Sequence, residues 1–456
     1  MKYAIVLAAG QGTRMKSETS KVMHSLVDKP MLEHIIENLE AINVDETHVV
    51  VGYQKEDIKA YFKDRILYHN QDELLGTGHA VMQVETLKDK QGKTILLYGD
   101  CPLVQKETME NLFNEVENVD MVVLTADLKE PGEYGRVVRD SQGNVIRIVE
   151  YRDASDSEKK LREINTGIYC FKNEALFKYL NELSNDNSQK EYYITDLVEI
   201  FAGHGLKIKA IKVSEIEEVM GINSRVQLSE AEAWLRERIN CHWMEQGVTL
   251  IDATNTYIST DTQIGRDTVI YPGAYLKGKN IIGSNVEIRG NTWLENVTIG
   301  DHCLIESSKI VDSTVKNHVN IGPFAHIRNE SFIDDYNRIG NFVEVKHSNF
   351  DKDTRCAHLS YIGDASIGAK VNIGCGVVTV NYDGFNKFRT EVKEGAFIGS
   401  NVNLIAPITV GKKAVVAAGS TITKDVADGD LVIERAQPVA KTGYGYDYLK
   451  DKHEKE

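Results

Sequence analysis

Residues 263–300 read QIGRDTVIYPGAYLKGKNIIGSNVEIRGNTWLENVTIG, and an Ile-Gly pair returns in them at Ile264-Gly265, Ile282-Gly283 and Ile299-Gly300. The pair keeps returning downstream, at Ile321-Gly322, Ile339-Gly340, Ile362-Gly363, Ile367-Gly368, Ile373-Gly374, Ile398-Gly399 and Val410-Gly411. Several gaps are near 18 residues and others are 5, 6 or 12. Such spacing is a hexad repeat with three hexads per coil, the signature of a parallel β-helix from about Tyr257 to Thr423. The apolar residue of each hexad is expected to point inward and stack on its equivalent in the next coil. The small residue after it is expected to let the chain turn a corner.

The first half obeys a different rule. Ala4-Ile5-Val6-Leu7, His48-Val49-Val50-Val51, Thr94-Ile95-Leu96-Leu97 and Met121-Val122-Val123-Leu124 are continuous apolar runs. Helical patterns lie between them, such as Met31 to Leu39. Fully apolar strands alternating with helices predict a mostly parallel sheet covered on both faces, with ligands beyond the carboxyl ends of its strands. From Ser224 to Gln246, Leu228, Ala231, Leu235, Ile239 and Trp243 recur at steps of three or four, which predicts a long amphipathic helix between the halves. The charged tail, Tyr444 to Glu456, is expected to fray.

A length of 456 residues calls for at least two domains. A net charge of -15 argues against a nucleic-acid partner held by a general basic surface, though not against local basic pockets for phosphorylated small molecules. No apolar stretch reaches membrane-spanning length, and the N-terminus has no signal-peptide layout. The six cysteines (Cys101, Cys170, Cys241, Cys303, Cys356, Cys375) lack CxxC spacing. They are expected to be reduced thiols in a cytoplasmic protein.

Two stretches carry chemistry in the first half. Leu7-Ala8-Ala9-Gly10-Gln11-Gly12-Thr13-Arg14 sets a Gly-rich loop directly after the first strand, where backbone N–H groups can approach a phosphate chain. Ordinary strand-to-helix turns use glycine too. The spacing is neither the P-loop nor the dinucleotide fingerprint. Gly76-Thr77-Gly78-His79-Ala80 is a second Gly loop. Asp100, in Tyr98-Gly99-Asp100, stands at a strand mouth and suits Mg²⁺. By itself it would read as a turn former before Pro102; beside two Gly loops the metal reading is preferred.

Together LAAGQGTRM, LGTGHA, YGDCPL, EYGRVV, INTGIY, EYYITD and GINSR resemble the sugar-1-phosphate nucleotidyltransferases. Joined to the hexad repeats and the second-half motifs, they resemble the bifunctional family that combines N-acetylglucosamine-1-phosphate uridyltransferase with glucosamine-1-phosphate acetyltransferase. The likeness runs from about Met1 to Lys441. It implies a Rossmann-like α/β nucleotidyltransferase domain over 1–223, a linker helix over 224–247, and a left-handed parallel β-helix acetyltransferase domain with a tail over 248–456. It implies nucleotide contacts by Leu7, Ala8, Ala9, Gly10, Arg14, Lys21, Gln71, Gly76 and Thr77, with Gln71, Gly76 and Thr77 at the uracil end. Asp100 and Asn223 are implied as Mg²⁺ ligands, and Gly135, Glu150, Asn165 and Tyr193 as the N-acetyl sugar site. Leu74, Ser20 and Gln11 depart from the residues usual in the family.

The second half carries its own constellation. Arg328 and Lys346 are one coil apart and should stack, a plausible clamp for a sugar phosphate; singly, each would read as solvated surface charge. Residues 379–392 lack the hexad signal and predict an excursion loop. The resemblance implies His358 as the base that takes a proton from an attacking amine. It implies Arg328, Lys346, Tyr361 and Asn372 for the sugar phosphate, Asn381 and Tyr382 at the reacting group, and Ser400, Ala418 and Arg435 for acetyl-CoA. Cys356-Ala357 replaces the usual Ala-Gly before the histidine.

The expected function is acetyl-CoA-dependent N-acetylation of glucosamine 1-phosphate, then Mg²⁺-dependent uridylyl transfer from UTP to N-acetylglucosamine 1-phosphate, supplying cell-wall precursors. The flat faces of a β-helix prism fit the homotrimer of the family. The main alternative is a monofunctional nucleotidyltransferase whose β-helix only regulates or oligomerises. A non-enzymatic scaffold, and a zinc hydratase using His302, His318, His326, His347 and His358, are the remaining readings.

Overall fold

The apolar runs of the first half form strands Lys2–Ala8, Glu46–Val51, Lys93–Tyr98 and Met121–Asp127 in a computed structural model of the chain, which describes residues 1–446 and 449. Lys2–Ala8 lies between Glu46–Val51 and Lys93–Tyr98, parallel to both, and Leu67–Asn70 extends the sheet. The long strand Glu163–Lys172 runs antiparallel between Lys93–Tyr98 and Met121–Asp127, and Ile208–Lys212 forms the far edge. A hairpin, Arg136–Arg139 with Val145–Val149, hangs from Glu163–Lys172. Side chains of successive residues on these strands enter two separate cores, Ala4 and Val6 on one face and Tyr3 and Ile5 on the other. That explains runs with no polar alternation.

The chain divides into two compact units, Met1–Leu235 and Arg236–Glu456, at a point inside the helix Arg225–Glu245. Ala231 and Leu235 are buried, whereas Leu228, Ile239 and Trp243 are half-covered and Val226 is exposed, so the apolar stripe of this helix is only partly used. Of the tail, 447–448 and 450–456 lie outside the described residues.

In the second unit the hexads stack as parallel rungs. One column runs Ile264, Ile282, Ile299, Val315, Ile333, Phe350, Ile367, Val392, Val410. A second runs Ile270, Ile288, Ile305, Ile321, Ile339, Cys356, Ile373, Ile398, Val416. Every member is buried, each contributing about 1.5–3 kcal/mol of apolar burial. Cys356 therefore occupies an inward position between two isoleucines, and burial pushes its thiol up to about 12.

The corners are turned differently from the expectation. Most glycines after the inward isoleucine have ordinary backbone angles. Left-handed corners fall instead on residues such as Asp267, Asn285, His302, His318, Tyr336, Asp353 and Lys370, all with φ between 56° and 62°. Glycine after isoleucine answers a packing demand. A Cβ on Gly283 would lie 2.7 Å from the Gly300 carbonyl carbon and 2.8 Å from Asp301 N. Buried polar side chains close the turns from inside: Asn337 Nδ2 donates to Asp334 O (2.8 Å) and Asp351 O (3.0 Å), and its Oδ1 accepts from Thr354 N.

The six cysteines carry no disulfide. Among the described residues no helix is long and apolar enough to cross a membrane. Replacing Gly283 by Ala should force two coils apart. A loss of ~1–3 kcal/mol is expected from such overpacking, read as a lower denaturation midpoint of the second unit in urea; an unchanged midpoint would contradict the packing account.

Candidate functional sites

The carboxyl ends of the parallel strands of the first unit frame a cavity of about 340 Å³. Its lining includes Leu7, Ala8, Ala9, Gly10, Lys21, Gln71, Leu74, Gly76, Thr77, Tyr98 and Asp100. The volume is in the range of small-molecule sites. Two glycines make the loops possible. Gly12 takes φ 60°, and a Cβ there would lie 2.7 Å from Lys21 Cβ; Gly76 takes φ 104°, and a Cβ there would lie 2.6 Å from Tyr192 O. Gln71 is tied to the strand end by its N–H on Val51 O at 2.8 Å.

A second cavity of about 490 Å³ is lined by Arg14, Tyr98, Asp100, Cys101, Tyr134, Gly135, Glu150, Asn165, Asn223 and neighbours. Tyr98 and Asp100 face both cavities. Arg14 thus belongs to the second rather than the first. Tyr193 lines neither; it is buried, and its hydroxyl accepts from Gln189 Nε2 at 2.7 Å.

At the junction, Lys21 Nζ donates to the Asp100 carboxylate and, at 3.0 Å, to Asn223 Oδ1. One cation thus already bridges these two oxygens. A carboxylate and an amide oxygen are hard donors, the set a small divalent ion takes when phosphates and water complete its shell. Among the described residues no group of three or more His, Cys, Asp or Glu could hold an ion alone. The pair therefore fits a metal that arrives with a phosphorylated substrate.

Burial shapes the second cavity's electrostatics. Desolvation raises the Glu150 carboxyl above its usual range, against a hydrogen bond from Thr195 Oγ1 at 3.3 Å. Desolvation, with Glu150 nearby, lifts Asp196 from 3.8 to about 6.

Two further residues had no role assigned from sequence. The Tyr98 ring occupies the space a side chain on Gly167 would need. Arg136 is fully buried, and its guanidinium donates to Tyr134 O, Gly132 O (2.8 Å) and Lys159 O (3.4 Å) beneath the Tyr151 ring. These bonds pin the loop that brings Gly135 to the cavity, where Gly135 O accepts from Asn165 N at 2.9 Å.

In the second unit, Arg328 pairs in register with Lys346, as the one-coil spacing predicted. Arg328 also forms an ion pair with Glu344. Residues 381–389 leave the coil between strands Val378–Val380 and Thr390–Val392, closing on a Tyr382–Lys387 antiparallel bridge. The bridge brings in Lys387, which the sequence did not single out. Close contact with its amine, and the repulsion of its charge, hold the Lys346 ammonium below the usual lysine range, and Arg328 adds to the push. Three cations crowd one place, an arrangement that an anion would relieve.

His358 lies in register with Asn341, and its Nδ1 donates to Asn341 Oδ1 at 2.9 Å. That bond fixes the proton on Nδ1 and leaves the Nε2 lone pair free. Tyr361 sits one rung above Glu344, and Asn372 pairs with Arg355 and Phe397. Asn381 is buried and donates to Asp364, whose other oxygen takes His347 Nδ1 at 2.7 Å. Burial opposes the Asp364 charge, but these hydrogen bonds outweigh it and hold the carboxyl below its usual range. Tyr382 is exposed, its hydroxyl on Gly384 O. Ser400, Ala418 and Arg435 form one exposed edge: Ser400 O accepts from Gly419 N at 2.8 Å, and Arg435 packs on Gly419. The His318 ring stacks between those of His302 and Tyr336.

A family profile described as nucleotidyl transferase matches residues 3–235. "Bifunctional protein GlmU" from Geobacillus sp. (strain WCH70) is 51% identical over 97% of both chains. The protein of the same description from Bacillus velezensis is 48% identical over 100% of this chain and 99% of its own. This chain belongs to the GlmU family. A GlmU protein from Halalkalibacterium halodurans, at 48% over 97% of this chain and 98% of its own, agrees. A putative glucose-1-phosphate thymidylyltransferase from Bacillus anthracis, solved with sucrose, covers 51% of this chain and 95% of its own at 20% identity and a TM-score of 0.42, too loose a superposition to bear on either site.

Asp196 yields a pH test of the first unit. It binds its proton more tightly folded than unfolded, so its ionisation opposes folding. The penalty is absent below about 4, grows as pH rises toward about 6, and is complete above that. Asp196→Asn should raise the unfolding midpoint of the first unit at pH 8, and the gain should shrink as pH is lowered toward 4. A gain independent of pH would refute the assignment.

Proposed function

We propose that the two sites perform successive steps on one amino-sugar phosphate. The protein is a bifunctional transferase: glucosamine 1-phosphate is N-acetylated from acetyl-CoA in the second unit, and N-acetylglucosamine 1-phosphate is uridylylated from UTP in the first. His358 carries the reading. A β-helix kept only for assembly or regulation needs neither an imidazole tied to an amide on the next rung nor a cluster of cations where its loop leaves the coil.

In the acetylation step the sugar phosphate rests on Arg328, Lys346 and Lys387, with Tyr361 and Asn372 on the sugar. His358 Nε2 accepts the proton as the amine nitrogen bonds the thioester carbonyl carbon; the C–S bond then breaks and coenzyme A departs. Asp364, through Asn381, holds the loop at the reacting group beside Tyr382. Ser400, Ala418 and Arg435 provide the edge for acetyl-CoA.

In the uridylylation step a phosphate oxygen of the N-acetylated sugar bonds the α-phosphorus of UTP, and pyrophosphate leaves. The nucleophile is already ionised, so positioning and charge stabilisation do the work. Leu7, Ala8, Ala9 and Gly10 bring backbone to the nucleotide; Arg14 and Lys21 neutralise its phosphates. Gln71, Gly76 and Thr77 hold uracil, and Gly135, Glu150 and Asn165 frame the N-acetyl sugar, with Tyr193 buried outside the cavity rather than lining it. Asp100 and Asn223 would hold the family's divalent ion, read here as Mg²⁺, which when bound screens the triphosphate and its developing charge. Lys21 then moves from these two oxygens to a phosphate. Both reactions are assigned to the cytoplasm, where UTP and acetyl-CoA are made.

One panel of variants tests the scheme. Asp100→Ala should lower uridylyl transfer about 10²–10³-fold and leave acetylation intact. His358→Ala should lower acetylation about 10²–10⁴-fold and leave uridylyl transfer intact. Lys387→Ala should raise KM for glucosamine 1-phosphate roughly tenfold with little change for acetyl-CoA. Loss of both activities from Asp100→Ala or His358→Ala, in folded protein, would break the two-site scheme.

The assembly proposed is a homotrimer. On one corner Phe324 and Phe342 stack at 5.4 Å, and with Leu359 above them they are 58%, 56% and 60% exposed. Three bulky apolar residues held outward with positive φ suit burial against another copy. Sedimentation equilibrium should return the mass of three chains; a monomer at micromolar concentration would rule this out.

A further inference from the structure

Gln71 lines the nucleotide cavity yet is only 5% exposed, so its amide is held by protein on most sides. Its Nε2 donates to Gly76 O at 3.0 Å and lies 3.2 Å from His79 Nδ1. A backbone carbonyl can only accept, so the amide nitrogen rather than the oxygen must face this way. The second amide proton then falls to His79 Nδ1, which accepts it. Neutral His79 therefore carries its own proton on Nε2. Gln83 Nε2 also lies 3.2 Å from that ring nitrogen while donating to His79 O at 3.0 Å; Gln83 is half-buried and can give its second amide proton to water, whereas buried Gln71 cannot, so the ring's one acceptor nitrogen goes to Gln71.

The consequence falls on Oε1 of Gln71. With Nε2 turned to Gly76 and His79, the amide oxygen takes no hydrogen bond from the described residues and is left to the cavity. An amide is nearly the same shape when turned over, so its hydrogen-bond partners decide its sense. Uracil presents N3–H between two carbonyl oxygens. Cytosine presents a bare N3 beside an amino group. An outward amide oxygen accepts from uracil N3–H, whereas an outward amide NH₂ would suit cytosine N3.

We propose that His79 is a positioning residue that locks the Gln71 amide oxygen toward the base and thereby sets the preference for uracil over cytosine nucleotides. This rests on the reading of Gln71 as a base contact. His79 touches neither base nor phosphate in this scheme; it acts through Gln71, from the short helix Thr77–Met82.

The test compares UTP with CTP in uridylyl or cytidylyl transfer to N-acetylglucosamine 1-phosphate by the full-length chain. His79→Phe keeps a ring without the acceptor. It should raise KM for UTP by about five- to tenfold, the effect of one lost hydrogen bond plus a mismatched group, and narrow the UTP:CTP ratio of kcat/KM by a similar factor. KM for the sugar phosphate should not move, and it reports that the domain is folded. His79→Gln, which returns an acceptor, should recover most of the ratio. Should H79F not fold, H79L is read in the same way. An unchanged ratio in H79F, or equal losses for both nucleotides, overturns the role of His79. Gln71→Ala separates the two levels: if it too leaves the ratio unchanged, the base contact itself is wrong, and if it alone collapses the ratio, only the role of His79 falls.

Discussion

The backbone ladder between successive coils governs the rear half of the molecule. Each rung pairs in parallel with the next, so residues one coil apart become vertical neighbours whatever their separation along the chain. Arg328 over Lys346 and Asn341 beside His358 are both products of that register. A charge or an imidazole placed on one rung thus finds its partner on another without any loop to fold. The ladder also decides which glycines are irreplaceable. Where two coils touch backbone to backbone, as at Gly283, a single carbon atom is too much.

Much of this was legible in the sequence because period survives translation into structure. Inward columns and the one-coil partnership of Arg328 and Lys346 follow from counting, as does the departure expected at 379–392, although its ends, Thr379–Val380 and Thr390–Val392, are paired strands and only 381–389 leave the coil. The corner rule was misread because a small residue after each isoleucine looks like a turn former, whereas its smallness answers the approach of the neighbouring coil. Left-handed corners were taken by Asp and Asn, which tolerate positive φ, but also by His, Tyr and Lys, which carry no turn signature by themselves. Lys387 was invisible for a related reason: an aperiodic loop gives a lysine no address, and only the Tyr382 bridge brings it beside Lys346.

In the front half the strands and their carboxyl ends were readable from apolar runs and Gly loops, and the cavity they frame collects eight of the nine nucleotide residues expected. What was not readable was the use of charge at short range. Lys21 was expected beside phosphates, but its span of Asp100 and Asn223, residues 79 and 202 positions away, was not foreseen. Arg136 carried no role in the sequence, yet it is buried on carbonyl oxygens that shape the neighbouring cavity. Such roles depend on which segments meet in space, and a single chain of letters states no long-range distance.

The fate of the cysteines has a practical side. Four thiols are sealed in the two cores, and burial lifts those of Cys101, Cys170, Cys303 and Cys356 above the ordinary thiol range, so they resist ionisation as well as access. Of the six cysteines only Cys241 and Cys375 are exposed. One stands on the helix where the chain passes from one unit to the other, and the next coil follows Cys375 directly through Asn401. The native chain thus comes with two addressable handles, one for each region an optical label would need to watch.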